Sequence, residues 1–299
     1  MELGGLTVPV PTLFDDEGKV DRAKNARYAR ALDDAHVDHL FLLGSLGEFP
    51  LVEPAERRPL LESVVETVST RTDVWVGCGA PSTRAAVAYG REAEEAGATA
   101  IVVVPPYYLA PTWAEVEEYY RAIRSAVTVP MLAYNIPSKV GYALPAPLVR
   151  KLALAGVLAG IKDTSGRIDS VRGFLDGAPR DFAVLPGDDA LVRESIESGA
   201  GGAVMGTANI VPALARRLLG ACKAPSSERA RELQALVSRV AAVVALGPFP
   251  STVKFLAEQV RGAEVGYRAP YGALTPDEAE RVRAEWRGIE TAVAAAARD

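Results

Sequence analysis

Lysine is scarce in this chain, and the positions of its lysines single out one of them for chemistry. Five are predicted to lie on helices or at helix ends, where a long cationic side chain normally extends into water; these are Lys19, Lys24, Lys151, Lys223 and Lys254. Lys139 is predicted to lie in a loop. Lys162 alone directly follows an apolar run, residues 158–161. The sequence therefore predicts one lysine, Lys162, inside a buried strand.

Burial gives a lysine amine a chemistry that it lacks in water. A free lysine amine, with a pKa of about 10.4, is almost wholly protonated at neutral pH. Burial disfavours the ammonium form and leaves a lone pair that can attack a carbonyl carbon. The resulting iminium ion withdraws electrons, so a neighbouring carbon can lose a proton and act as a nucleophile. The alternative is a structural role, in which Lys162 pairs with Asp163 or Asp188.

Tyr134 and Ser45 could move protons beside Lys162. Tyr134 ends the preceding apolar run, so its hydroxyl could act there as proton donor and acceptor. The alternative for a strand tyrosine is packing. Ser45 could relay the proton and bind a carboxylate, although a serine after Gly44 is also common in a turn. Gly47 predicts an unusual backbone angle that turns N–H groups inward, which suits an anion.

These residues need a fold that brings strand ends together. Short apolar runs alternate with amphipathic segments, and the runs are residues 6–10, 39–44, 74–79, 100–105, 130–135, 158–163, 182–186 and 202–206. Runs that are apolar almost throughout are typical of parallel strands buried on both faces. Eight β/α units before about residue 222 predict an α/β fold, a closed (β/α)8 TIM barrel. In such a barrel the active site lies at the C-terminal ends of the strands.

Helical patterns fill the intervals between these runs, and their ends carry the expected residues. The clearest patterns are residues 54–69, 83–96, 112–127 and 189–198. The expected caps are Ser82 or Thr83, Thr112, and Asp188 or Asp189. Gly97 and Gly199 stand where helices should end.

The chain is predicted to divide into a barrel and a helical appendage. Residues 1–222 form the catalytic barrel, and residues 223–299 form a C-terminal helical extension packed on it. The extension contains helical patterns at 228–246, 252–261 and 276–297, which are too few for an independent core. Residues 224–227 are the predicted linker.

Composition excludes several classes of protein. Hydrophobic residues make up 49% of the chain, yet no apolar run approaches the roughly 18–20 residues that span a bilayer. The N-terminus lacks the features of a signal peptide. A formal net charge of −5, without a dense Lys/Arg patch, argues against nucleic-acid binding. We therefore expect a cytoplasmic protein with no membrane and no nucleic-acid partner.

Histidine and cysteine are too few for several kinds of site. His36 and His39 are the only histidines, so a His-rich metal site cannot be assembled. No G-x-S-x-G turn accompanies them, which argues against a serine hydrolase. Cys78 and Cys222 lie far apart and are expected to be buried, reduced thiols.

Four segments together resemble the dihydrodipicolinate synthase / N-acetylneuraminate lyase family. They are residues 44–48, 134–137, 160–164 and 187–189, and they follow the predicted strands in the family's order over nearly the whole chain. By this resemblance Lys162 forms a Schiff base with pyruvate or a pyruvyl substrate. Tyr134 is the general acid/base and Ser45 lies in its proton relay. The turn at Gly47 helps to hold the pyruvate carboxylate.

The same resemblance implies how the protein assembles and what it binds. Tyr107 or Tyr108 matches the aromatic position that, in the synthases, reaches into the partner subunit's site, and the spacing favours Tyr108. A homotetramer built as a dimer of dimers is implied. The implied partners are small molecules, pyruvate and an aldehyde, and neither an organic cofactor nor a metal is expected.

Two departures from the family pattern bear on the substrate. Synthases usually carry a second hydroxyl where this chain has Leu46 and an arginine where it has Lys139. That arginine holds the carboxylate of the aldehyde partner, and a lysine cannot copy its bidentate contact. Residues 266–274 instead look like the C-terminal segment of 2-keto-3-deoxygluconate-type aldolases. The carboxylates of Asp188 and Asp189 suit a hydroxyl-rich sugar acid.

We therefore expect reversible cleavage of a 2-keto-3-deoxy sugar acid into pyruvate and an aldehyde. The predicted substrate-binding residues are Ser45, Leu46, Gly47, Tyr107, Lys139, Gly187 and Val204. One alternative is a dihydrodipicolinate synthase that condenses pyruvate with aspartate semialdehyde. Others are dehydration of sugar acids and reactions of aromatic aldehydes. An alternative of another class is a non-catalytic barrel that binds a 2-oxo acid.

Overall fold

The structure is a computed structural model that describes residues 3–224 and 227–298, and eight parallel strands form its centre. The strands are β1 (Gly5–Pro9), β2 (His39–Leu42), β3 (Asp73–Gly77), β4 (Ala100–Val103), β5 (Met131–Asn135), β6 (Gly160–Asp163), β7 (Ala183–Pro186) and β8 (Gly202–Val204). Neighbouring strands pair in chain order from β1 to β7, and β8 pairs with β1. The Gly201 N–H donates to the Val184 carbonyl at 3.3 Å, which brings β8 beside β7. The predicted TIM barrel is confirmed.

The strands are apolar almost throughout because both of their faces are buried. Successive side chains of a strand point to opposite sides. One set fills the barrel interior and includes Phe41, Trp75 and Leu185. The other set, which includes Leu40 and Val76, packs against the surrounding helices. This double burial explains why the apolar runs located each strand to within about two residues.

Nine helices of the described chain surround the barrel up to residue 221. They are α1 (Arg22–Asp34), α2 (Pro54–Val65), α3 (Thr83–Glu95), α4 (Trp113–Arg124), α5 (Pro137–Val140), α6 (Ala146–Leu154), α7 (Ile168–Leu175), α8 (Val192–Glu197) and α9 (Pro212–Ala221). Short 3-10 turns cover Phe49–Leu51, Asp189–Leu191 and Gly206–Asn209. Ser82 and Thr112 cap α3 and α4 as predicted. The helix predicted at 189–198 is divided, because a 3-10 turn precedes α8.

Three further helices form the C-terminal extension: α10 (Glu228–Val244), α11 (Ser251–Arg261) and α12 (Pro276–Arg298). Leu233 of α10 and Val282 of α12 belong to the same buried cluster as Leu214 of α9. The division at residues 222 and 223 stays a prediction. The predicted linker includes residues 225 and 226, which lie outside the described residues.

Two expectations from composition concern the described chain directly. None of its helices is both long and apolar enough to cross a membrane. Cys78 and Cys222 are free and buried, as predicted.

Candidate active site

A cavity of about 460 Å³ opens at the C-terminal ends of the strands. It brings together most of the residues predicted from sequence, which are Ser45, Leu46, Tyr134, Lys139, Lys162, Gly187 and Val204. These residues come from five strands or the segments that follow them. Parallel strands present their carboxyl ends at the same side of a barrel, so residues distant in sequence converge there.

Lys162 lies at the base of this cavity. It belongs to β6 and is only 6% exposed, as predicted. Its Nζ atom lies 4.0 Å from the ring centroid of Tyr134 and 5.1 Å from that of Phe41. The register of β5 and β6 places Tyr134 directly opposite Lys162. The amine therefore lies beside two aromatic rings, and Lys162 lines the cavity.

Tyr134 is buried, and its hydroxyl lies 3.4 Å from the Ser45 hydroxyl, where either group can donate. Burial acts to raise the pKa of Tyr134, but the Lys162 ammonium and the Ser45 hydroxyl outweigh it. The pKa of Tyr134 therefore lies below its ordinary value. A phenol that loses its proton more readily is better suited to general base catalysis near neutral pH.

Asp163, the neighbour of Lys162, has partners of its own. It accepts a hydrogen bond from Asn135 Nδ2 at 2.7 Å and another from Ser165 Oγ at 2.9 Å. The lysines that form ion pairs in the described chain are Lys19, Lys24, Lys151 and Lys254. The structural alternative, in which Lys162 pairs with Asp163 or Asp188, is therefore not observed.

Gly187 and Thr164 frame the Lys162 side chain. A Cβ atom at Gly187 would lie 2.7 Å from Lys162 Cε and 2.2 Å from Thr164 Oγ1, so only glycine leaves room there. Thr164 was not among the predicted site residues, although it lines the cavity. Its hydroxyl is buried and makes no well-aligned hydrogen bond with another described residue. The sequence did hold a signal for Thr164. It lies two residues after Lys162, and residues two apart in a strand point to the same face.

The predicted backbone angle of Gly47 is wrong. The left-handed conformation occurs instead at Leu43, with φ 54°, and Glu48, with φ 48°. Gly47 is required because a Cβ atom would lie 2.8 Å from the Val10 carbonyl oxygen. The backbone N–H groups of Leu46 and Gly47 have no acceptor within residues 3–224 and 227–298. The turn after β2 can therefore still present N–H groups to an anion.

The expectation that Lys254 extends into water is also wrong. Lys254 is 0% exposed, and its ammonium forms an ion pair with the buried carboxylate of Glu48. The available signal was the apolar residues on both sides of Lys254, which are Val253, Phe255, Leu256 and Ala257 and are all buried in the structure. A helix segment that is apolar all round belongs in a core.

The outer part of the cavity combines polar groups with an apolar wall. Asp188 and Asp189 line one side with Thr207. Thr207 donates to Asp189 through its N–H and hydroxyl, both at 3.2 Å. Burial nevertheless raises the pKa of Asp189 to about 7. Val244 and Phe249 of the C-terminal extension also line the cavity.

Tyr107 and Tyr108 diverge. Tyr107 is half-buried, packs edge-on against Phe49 and lines an adjoining cavity of about 280 Å³ that also contacts Ser45 and Lys139. Tyr108 has φ 75°, is 94% exposed and lines neither cavity. The role of Tyr108 in a partner subunit stays a prediction.

Comparison with known proteins identifies the family. A model of the dihydrodipicolinate synthetase family matches residues 2–287. The chain belongs to this family. It is 36% identical over 284 residues to a DapA-like lyase of Halobacterium salinarum, covering 95% of this chain and 93% of the relative. It is 31% identical over 290 residues to the 4-hydroxy-tetrahydrodipicolinate synthase of Archaeoglobus fulgidus, and the match covers 96% of this chain and 98% of the relative.

The fold of the family extends to solved structures. YagE, a prophage protein of Escherichia coli K12 crystallised in complex with pyruvate, superposes with a TM-score of 0.91 at 27% identity. The match covers 96% of this chain and 99% of YagE. Members of the dihydrodipicolinate synthetase family are class I pyruvate lyases and aldolases.

Proposed function

We propose that this chain is a Schiff-base aldolase that reversibly cleaves a 2-keto-3-deoxy sugar acid into pyruvate and an aldehyde. The observation that carries the proposal is the buried amine of Lys162, 4.0 Å from the ring centroid of Tyr134 at the base of a substrate-sized cavity. An amine in such a place can attack a ketone, and a phenol beside it can move the proton that the reaction requires.

The proposed reaction begins with attack of Lys162 Nζ on the ketone carbon C2, and loss of water gives an iminium ion. Tyr134 then removes the proton of the C4 hydroxyl, and Ser45 relays it. The C3–C4 bond breaks, the aldehyde leaves, and the electron pair moves into the iminium group to form an enamine. Protonation of C3 and addition of water release pyruvate and the free lysine. The iminium group is the electron sink, so the reaction requires neither a metal nor an organic cofactor.

The turn after β2 is suited to the carboxylate that every 2-oxo acid carries. Ser45 and Leu46 line the cavity that contains Lys162, Gly47 follows them directly, and the N–H groups of Leu46 and Gly47 have no acceptor among the described residues. Backbone N–H groups that converge in a turn bind anions without a cationic side chain.

The polar lining of the outer cavity favours a substrate whose aldehyde-forming part carries hydroxyl groups, rather than a phosphate group or an apolar chain. Asp188, Asp189 and Thr207 contribute carboxylate and hydroxyl groups to the lining of the cavity. These groups can accept and donate hydrogen bonds to sugar hydroxyls. The two carboxylates would repel a phosphate group.

A second candidate, condensation of pyruvate with aspartate semialdehyde, is favoured by the name of the Archaeoglobus fulgidus relative. Leu46, which is buried, and Lys139 argue against it, because they replace the hydroxyl and the arginine of that activity. Turnover assays separate the two candidates. The proposal requires retro-aldol release of pyruvate from 2-keto-3-deoxy sugar acids and is overturned by robust condensation with aspartate semialdehyde alone.

Borohydride reduction in the presence of pyruvate, followed by peptide mass mapping, tests the Schiff base itself. We expect one pyruvate-derived adduct, on Lys162. Lys162→Ala should abolish the adduct and all turnover while the protein remains folded by circular dichroism. A folded wild-type protein without an adduct would refute the mechanism and favour a non-catalytic barrel. Lys162→Ala separates that alternative as well, because a binding protein could retain affinity for the 2-oxo acid.

We also propose that the protein works in the cytoplasm as a homotetramer, with Tyr108 reaching the active site of a neighbouring subunit. The 94% exposure of Tyr108 supports a role outside its own barrel. Sedimentation analysis tests the assembly, and Tyr108→Ala should lower turnover without displacing Lys162.

A further inference from the structure

The ammonium group of Lys254 joins three segments that are distant in sequence. It lies in α11 and forms an ion pair with Glu48, the residue that follows the turn at Gly47. It also donates to the Gly266 carbonyl at 2.8 Å. The rings of Phe14 and Tyr267 lie 5.0 and 5.2 Å from its Nζ atom. The buried ammonium of Lys254 thus binds the C-terminal extension to the segment after β2.

Glu48 depends on this cation. Its side chain is 3% exposed, its backbone has the left-handed φ of 48°, and the Lys254 ammonium is its charged partner among the described residues. Burial raises the pKa of Glu48 and lowers that of Lys254, while the attraction between the two charges opposes both shifts. A buried ion pair is a costly way to stabilise a fold, because a protein with apolar residues of similar size in its place is often at least as stable. A role in placing the turn accounts for a pair at this position.

A second residue of the extension binds the same segment farther along. Arg268 donates to the Leu51 carbonyl at 2.5 Å and to Glu56 Oε2 at 2.6 Å. Residues 48 and 51–56 are therefore both fixed from the C-terminal side. Residues 45–47 directly precede Glu48, so a displacement of Glu48 would reach them through the backbone.

We propose that Lys254 and Glu48 are positioning residues that hold the turn at Ser45, Leu46 and Gly47 in the geometry that binds the substrate carboxylate. The inference rests on the proposed function, because it concerns the site at which that function places the carboxylate. Neither residue touches the reacting atoms. Their effect reaches the substrate through the backbone of the turn, whose N–H groups must point into the cavity.

The test measures borohydride trapping of pyruvate at Lys162 as a function of pyruvate concentration. Glu48→Gln/Lys254→Met removes both charges together, so neither is left buried and alone. We expect the half-saturating pyruvate concentration to rise about 10- to 100-fold, because small displacements of a positioned group have effects of this size. The trapping rate at saturating pyruvate should change much less, since Lys162 and Tyr134 stay in place.

Arg57 and Glu92 provide a matched control. Their ion pair, with 2.9 Å between Arg57 Nε and Glu92 Oε1, is also buried on the arginine side and lies outside the cavity of Lys162. Arg57→Met/Glu92→Gln should lower stability but leave half-saturation close to that of the wild type. Equal effects in the two double variants would reduce the Lys254–Glu48 pair to a stabilising contact and overturn the proposal.

A milder variant keeps the test decisive if the double variant fails to fold. Glu48→Asp retains both charges but withdraws the carboxylate by one methylene group, and should raise half-saturation in a folded protein. Glu48→Asp/Lys254→Arg, with a longer cation, should restore part of the loss. If folded Glu48→Asp and folded Glu48→Asp/Lys254→Arg both show the half-saturating pyruvate concentration of the wild type, the positioning role is refuted and the proposed function is not. A wild-type protein that forms no adduct refutes the proposed function, and the positioning role with it.

Discussion

Tyr134 and Lys162 occupy opposite positions of the neighbouring strands β5 and β6, and Lys162 Nζ lies 4.0 Å from the centroid of the Tyr134 ring. Paired residues of parallel strands point to the same side of the sheet. The register therefore brings the amine and the phenol together on the inner face of the barrel. This relationship places a nucleophile and a proton-transfer group in one layer of the barrel.

Tyr134→Phe should separate Schiff-base formation from proton transfer. We expect turnover to fall by about 10²- to 10⁴-fold, because a positioned acid/base contributes effects of this size. The fold should survive, since phenylalanine keeps the buried ring and removes only a hydroxyl, whose contact with Ser45 is a long one of 3.4 Å. Steady-state turnover and the rate of borohydride trapping are the two measurements, and trapping should persist at a reduced rate.

Tyr120→Phe is the matched control for that variant. Tyr120 is another buried tyrosine, and its hydroxyl donates to the Val103 carbonyl at 3.1 Å, away from the cavity. It should retain turnover of the wild-type order. Tyr134→Phe with undiminished turnover would remove Tyr134 from the reaction.

Gly187→Ala should slow Schiff-base formation at Lys162 while leaving the lysine itself unchanged. The new methyl group would lie 2.7 Å from Lys162 Cε and 2.2 Å from Thr164 Oγ1, so the amine must move. We expect the trapping rate to fall by at least about 100-fold, as displaced reacting groups do. Gly288→Ala, with nothing within 4 Å of its Cβ position, should keep the wild-type trapping rate. Normal trapping in Gly187→Ala would contradict the close packing around Lys162.

Because Asp189 loses its proton, the free energy of unfolding should fall as the pH rises towards and through neutrality. Burial raises the pKa of Asp189 to about 7, above the value of about 4 for a free carboxyl group. Between these values the folded chain holds a proton that the unfolded chain has lost. This contribution is therefore full below about pH 4 and is lost as the pH passes about 7.

Asp189→Asn isolates this effect because an amide does not titrate. Between pH 5 and pH 8 the wild type should lose about 2 kcal/mol of unfolding free energy relative to the variant. Urea denaturation at the two pH values measures the difference. Asp169→Asn changes a carboxylate that is 77% exposed and should show no such divergence. Parallel pH profiles for the wild type and Asp189→Asn would mean that the carboxyl group is ionised throughout this range.

Leu46→Thr/Lys139→Arg should shift the activity towards condensation with aspartate semialdehyde. A guanidinium can form a bidentate contact with the second carboxylate, which an ammonium cannot. We expect condensation to rise about tenfold, the equivalent of one good hydrogen-bonded contact. Coupled assays with both aldehyde classes measure the change. A wild-type protein that already prefers aspartate semialdehyde would contradict the sugar-acid proposal.

The sequence located the strands well but predicted one helix where the structure has a 3-10 turn followed by a shorter helix. Double burial made each strand an uninterrupted apolar run, and such a run has few alternative interpretations. At 189–198 the pattern predicts one helix, whereas residues 189–191 form a 3-10 turn. Gln234 Nε2, from α10, donates to the Asp189 carbonyl at 2.9 Å. No local pattern could reveal a partner 45 residues away.

The lysines show the same contrast between what the local sequence predicts and what depends on distant contacts. Lys162 was identified from the apolar residues before it, because strand burial is a local property. Lys254 was misplaced, because the side of a helix on which a lysine lies depends on what packs there. Gly47 was correctly placed in the turn after β2, but its requirement comes from the Val10 carbonyl on another strand.

By itself, the sequence determined the fold class and the strand ends at which Ser45, Tyr134 and Lys162 lie. These depend on hydrophobic periodicity and strand order, which are written locally along the chain. Only the tertiary structure decided which groups touch: the register of Tyr134 against Lys162, the crowding at Gly187, and the burial of Lys254 against Glu48. Such contacts depend on distances between segments far apart in sequence, and those distances exist only once the barrel and its C-terminal helices have packed.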